Sequence, residues 1–143
     1  MKNLTLLILG SVLFFSCNST KKEAPKNNEE ELVMYEFSEM ALLMEEMYKA
    51  NEDLKNKIVN KEAIGDFSDK FLDIHSAVLT NPKDRDASFE IFSKAFLENQ
   101  KAIYSASPDD VKDQFNLMVN SCVACHKTTC TGPIPRIKKL LIK

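Results

Sequence analysis

Along most of the chain apolar residues return every three or four positions with charged residues between them, the spacing of one face of an α-helix. From Glu31 to Ile58 the stripe is Val33, Phe37, Met40, Met44, Met47, Leu54 and Ile58, which leaves Glu39, Glu45, Glu46, Glu52 and Lys55 for water. A second helix is expected over about 61–79, with Ile64, Phe67, Phe71, Ile74 and Val78 on one side. Asn81, Pro82 and Asp84 then form a helix start: the amide caps, the proline loses no needed donor, and the acid meets unpaired backbone amides. The third helix should run from Pro82 to about Ala106 and bury Phe89, Phe92, Phe96 and Ile103. Ser107, Pro108 and Asp110 repeat the signal and open a fourth, with Val111, Phe115, Met118 and Cys122 facing inward. Gly132 and Pro133 end it, and Pro135 prevents its immediate resumption.

Four such stripes on short links predict an all-α, antiparallel four-helix bundle over residues 31–131, followed by a basic C-terminal tail over 132–143. Ile137, Leu140 and Leu141 give that tail one amphipathic turn. The composition agrees: only 3 Gly and 5 Pro occur in a chain of 143 residues that is 44% hydrophobic and 28% charged, enough apolar surface for one real core. A net charge of -2 and the absence of a long Lys/Arg block exclude a nucleic-acid surface. The one basic cluster, Arg136, Lys138, Lys139 and Lys143, reads as a solvated face.

The first residues belong to export and not to the fold. Lys2, the apolar run from Leu4 to Phe15, and Ser16 before Cys17 make a signal peptide over residues 1–16, too short for a membrane span. The small residue before Cys17 resembles the cleavage position of a bacterial lipoprotein, which implies that Cys17 carries the lipid. Residues 17–30, rich in Lys, Asn and Glu, then serve as a lipid-anchored N-terminus and flexible tether. The expected location is the bacterial periplasm or cell envelope, with membrane association through Cys17.

The chemistry is concentrated in Cys122-Val123-Ala124-Cys125-His126. Two thiols three positions apart can add to the vinyl groups of haem, and the adjacent imidazole can bind the iron, which is the attachment motif of haem c, one per chain. Two other readings of the motif compete. A redox dithiol needs a strand leading into CxxC at a helix start, whereas Cys122 lies well inside a predicted helix. Zinc needs four comparable ligands, and Cys130 with distant His75 completes no such set. With Cys17 given to lipid and Cys122 and Cys125 to haem, Cys130 is left as a free, semi-buried thiol, an intermolecular disulfide or an additional ligand.

For the far side of the iron, Met40, Met44 and Met47 all lie on the first stripe, where a thioether is both a competent ligand and an ordinary core filler. Met118 shares a helix with His126, and His75 fits a surface or core hydrogen-bonding role. From Glu31 to His126 the chain resembles the class II c-type cytochromes, cytochrome c-prime and its low-spin relatives, on Cys122, Cys125 and His126 and more loosely on its helical patterning. The run Val33-Met34-Tyr35-Glu36-Phe37-Ser38-Glu39-Met40 is similar to the first-helix region of that family. The resemblance implies that Met40 stands over the distal haem face, with His126 and Met40 as axial ligands; a shifted register moves the role to Met44 or Met47. The chain departs from the family after His126, where Lys127-Thr128-Thr129-Cys130 replaces an aromatic-basic pair, and at Glu36, where a basic residue is common. Lys127 or Arg136 is available to balance a haem propionate.

These features predict a one-electron carrier and not an enzyme, working with redox proteins of the cell envelope; helix pairing into a homodimer is compatible with such a bundle. The rival reading is a five-coordinate haem protein that binds or senses nitric oxide or carbon monoxide, with Met40 packed nearby but not bonded. Peroxidase chemistry lacks a distal acid-base pair.

Overall fold

Residues 36–143 are described by the computed structural model. The expected signal peptide, Cys17, the expected tether and the residues up to Tyr35 lie outside the described residues. Helix α1 spans Glu39–Asn60. The Ser38 hydroxyl accepts a hydrogen bond from the Ala41 amide at 3.2 Å, which sets the start, so residues 36–38 are not helical and the helix expected from Glu31 is shorter there. At the other end Lys61 turns left-handed (φ 57), and the amides of Lys61 and Glu62 return to the carbonyls of Ile58 and Lys57. The buried stripe is Met40, Leu43, Met47, Asn51, Leu54 and Ile58, while Phe37, placed inside by the pattern, precedes the cap and is exposed.

The second expected α-helix does not form. Gly65 takes φ +76, outside helical space, and the chain coils only into a 3-10 helix over Asp69–His75. Phe71 and Ile74 are its buried residues, Ala77 just past its end is buried as well, and their three-residue spacing explains the choice. A turn of three residues stacks them on one edge, whereas an α-helix would rotate each away from the last. The segment is stapled to α1 by the Met40 amide on the Val78 carbonyl at 3.0 Å and the Val78 amide on a Glu39 carboxylate oxygen at 2.9 Å.

The third expected helix is split. Asn81 caps only a 3-10 turn, Pro82–Asp84, and a second cap at Asp86, whose carboxylate accepts from the Phe89 amide at 2.8 Å, starts α2 over Ala87–Ile103. Arg85 causes the break: its guanidinium donates to the carbonyls of His75 (2.8 Å) and Ala77 (2.7 Å) and covers the Phe89 ring, tying this corner to the 3-10 segment. Helix α3, Val111–Thr128, begins as the pattern indicates and pairs with α2 as a hairpin. The fold is therefore all-α, but with three long α-helices among the described residues and not the antiparallel four-helix bundle that the stripes and the class II resemblance imply.

The tail also behaves differently from its proline content. Pro135 falls in the first turn of α4, Ile134–Ile137, where its missing amide proton is not needed, so helical structure does resume. A 3-10 turn, Lys138–Leu140, follows, and Ile137 and Leu140 enter the core. Lys55 donates its ammonium protons to the carbonyls of Lys139 (2.7 Å) and Leu141 (3.3 Å), and the Asn116 amide both donates to and accepts from the Ile142 backbone at 2.9 Å. Residues 133–142 thus form a strap across α1 and α3. Among the described residues no helix is long and apolar enough to cross a membrane.

Candidate functional site

A cleft of about 100 Å³ opens between α1, α2, α3 and the strap. On the α3 wall stand Cys122, Cys125 and His126; spacings of three and four residues place them on one helical face. On the α1 wall stand Met44, Met47, Tyr48 and Asn51. Phe96 and Ser93 come from α2, Ile74 from the 3-10 segment, and Ile137 and Leu140 from the strap.

His126 is oriented by its own chain. Its Nδ1 lies 2.8 Å from the carbonyl oxygen of Cys130, four residues on, where the helix has ended at Thr128 and the backbone turns back. A carbonyl only accepts, so Nδ1 carries the proton and Nε2 is left with its lone pair free, the tautomer a metal-binding imidazole needs. The thiols are held neutral. Burial, reinforced by the neighbouring Cys125, pushes the Cys122 thiol up to about 12, and burial together with the Asp86 carboxylate raises Cys125. Such thiols are poor thiolate nucleophiles, which disfavours dithiol redox catalysis. Among the described residues no group of three or more His, Cys, Asp or Glu side chains is placed to hold a metal ion, so a zinc centre lacks its ligand set.

The donor set fits a covalently held haem: two thiols and a correctly protonated imidazole share one largely apolar cleft. The enclosed room is small, since pockets for cofactor-sized ligands span ~300–1,000 Å³. A macrocycle here requires either that lining side chains give way or that one ring edge reaches solvent. At the mouth Arg136 pairs with Glu45 and stacks 3.8 Å from the Tyr48 ring centroid. The guanidinium holds the Glu45 carboxyl below the usual carboxylate range through its hydrogen bond.

Met40 is buried near the start of α1 and is not among the residues lining the cleft, whereas Met44 and Met47 are. Of the phenylalanines on the predicted stripes, Phe89 lies under Arg85 and Phe115 in the α2–α3 core, while Phe96 lines the cleft together with Tyr48. His75 faces Glu90 at the surface, 3.8 Å away, and Cys130 is an exposed free thiol whose contribution to the site is its backbone carbonyl. Lys127 is exposed. Asn51 and Ser93 were not signalled by any motif, whereas Arg136, Ile137 and Leu140 of the strap stood out in the tail; the only trace of Asn51 in the sequence is a polar residue at a position where the apolar period calls for a core side chain. No family model, curated protein or solved structure matches this chain.

Proposed function

We propose that this chain carries one covalently attached haem c and passes single electrons between redox proteins of the bacterial cell envelope. The observation that carries the reading is the meeting of Cys122, Cys125 and His126 in one cleft, with His126 Nδ1 engaged by the Cys130 carbonyl. When bound, the haem supplies a one-electron iron couple. Cys122 and Cys125 hold the macrocycle through thioethers, His126 Nε2 supplies the proximal ligand, and the apolar lining from Ile74, Phe96, Ile137 and Leu140 excludes water. Arg136 at the mouth is the cation for a propionate. The distal thioether would come from α1, where Met44 and Met47 line the cleft and Met40 does not, and the role falls to Met47, the more buried of the two. Lipidation of Cys17, outside the described residues, keeps the carrier beside membrane partners.

Co-expression with a c-type maturation system tests this. The intact mass should rise by one haem that resists acid extraction, and the spectra should be low-spin and six-coordinate in both oxidation states. A chain that emerges without covalent haem from competent maturation overturns the proposal. High-spin ferrous protein that takes up carbon monoxide without displacing a methionine replaces electron transfer with gas binding.

A further inference from the structure

Two polar side chains in the cleft are not used by haem attachment. Asn51 is 3% exposed, and its Nδ2 donates to the Met47 carbonyl one turn back at 3.0 Å. That bond fixes the amide's orientation, because a carbonyl cannot donate. Its Oδ1 has no donor among the described residues. Ser93, 0% exposed, lines the same cleft and donates its hydroxyl proton to the Glu90 carbonyl at 3.3 Å, so its oxygen lone pairs are available. A buried amide oxygen without a partner is costly, and among Met47, Ile74, Phe96 and Leu140 a leucine of the same shape would pack without that cost. The amide is therefore explained by something that enters the cleft with a proton to donate.

Resting on the haem reading, we propose that Asn51 Oδ1 and Ser93 Oγ accept the two protons of one water molecule held beside the haem, and that this water lowers the reduction potential. A buried water needs two or more polar partners and ~10–15 Å³. The two oxygens supply the first, since both side chains line the one cleft; the second is the gap left at Asn51 when the lining yields to the ring and one ring edge reaches solvent. A water that gives both protons to Asn51 and Ser93 turns its oxygen toward the haem. That negative end favours the more positive, oxidised iron. Asn51 is thus a positioning residue: it acts on the iron through the water it orients.

The test is spectroelectrochemical titration of haem-loaded wild-type protein beside N51L, N51D and S93A. N51L removes the acceptor and should change the ratio of oxidised to reduced protein at fixed potential by about tenfold, an upward shift of about 59 mV for a one-electron couple. N51D keeps an acceptor and adds negative charge, so its potential should fall. S93A should rise by less than N51L. A merely structural role would move the potentials of N51L and N51D the same way, and that result overturns the inference, as does N51L at the wild-type potential. If N51L yields no folded holoprotein, opposite shifts of N51D and S93A support the proposal, and shifts of the same sign sink it. Wild-type protein that never acquires haem defeats the haem reading and this inference together, whereas haem-loaded protein with unmoved variants defeats this inference alone.

Discussion

Exchanging each α1 methionine for leucine separates the cleft geometry from the family resemblance. Met47 is 5% exposed and packs in the core, and leucine is close to it in volume, so Met47→Leu should cost less than ~1.5 kcal/mol of stability. Met40, 6% exposed, should tolerate the same exchange at a similar cost. The two substitutions are therefore nearly equivalent for folding and differ in what they do to iron. Met47→Leu removes a thioether from the cleft wall, and the haem-loaded protein should become high-spin, five-coordinate when ferrous and open to carbon monoxide. Met40→Leu should leave the low-spin spectrum intact, because Met40 does not line the cleft. Met44→Leu, at the edge of the same face, should leave it intact as well. Absorption and magnetic circular dichroism spectra of the three holoproteins, with urea melts to confirm equal folding, read the outcome. A low-spin Met47→Leu protein refutes the placement, and loss of the low-spin form in Met40→Leu would return the ligand to the position implied by the class II resemblance.

Cys125→Ser should leave haem attached through Cys122 alone, and the reduced absorption band should move to longer wavelength because one vinyl group stays conjugated; an unshifted band argues against a second thioether. Asp86→Ala removes the 2.8 Å cap on α2 and should cost ~1 kcal/mol, roughly 4–8 °C in thermal midpoint, so an unchanged midpoint would show that Asn81 can start the helix by itself. Asn116→Ala loses two 2.9 Å bonds to Ile142, together ~2 kcal/mol, and hydrogen exchange should speed up in the strap before it does in α2 and α3; uniform exchange would count against the strap as a separate unit. Glu45 is held below its usual range by Arg136, so it stabilises the fold at pH values above the unfolded carboxylate range, and that contribution disappears as pH falls through the depressed folded value. Glu45→Gln should therefore be slightly less stable than wild type at pH 7 and match it in acid, the gap being small because both side chains are about half exposed; a gap that widens toward acid contradicts the assignment.

The helices with clean three-and-four periodicity were legible in part: the pattern located Met40, Met47, Leu54 and Ile58 of α1, Phe89, Phe96 and Ile103 of α2, and Phe115 and Met118 of α3, but not Leu43, Asn51, Ser93, Leu97 or Gln100, and Cys122, Cys125 and His126 stood out by their motif spacing. What escaped was decided by competition between local signals. Residues 64–78 have an apolar stripe, but Gly65 and the Phe71, Ile74, Ala77 spacing favour a tighter coil, which only the packing against α1 reveals. Asn81 and Asp86 are both sound caps, and choosing between them depends on where Arg85 finds carbonyls ten and eight residues back. Pro135 looked like a stop signal because the first turn of a short helix cannot be told from a loop without knowing what buries Ile137 and Leu140.

The loss of the fourth helix changes what the attachment motif needs from the chain. In the expected bundle a fourth long helix would close the cleft, whereas here that wall is made by the strap, a segment with two prolines whose own backbone bonds are confined to two short helical turns. Its hold comes from outside: Lys55 and Asn116 supply donors for the carbonyls of Lys139, Leu141 and Ile142, and Arg136 reaches back to Glu45 on α1. A wall fastened mainly by side chains can open without unfolding α1, α2 or α3, because its bonds are not part of their ladders. That matters for a cleft whose enclosed room is smaller than a macrocycle. On the proposed haem reading the ring enters while the cysteines are reduced and unattached, and hydrogen exchange faster in the strap than in α1, α2 and α3 would mark the strap as the wall that yields, even though Ile137 and Leu140 anchor it in the core.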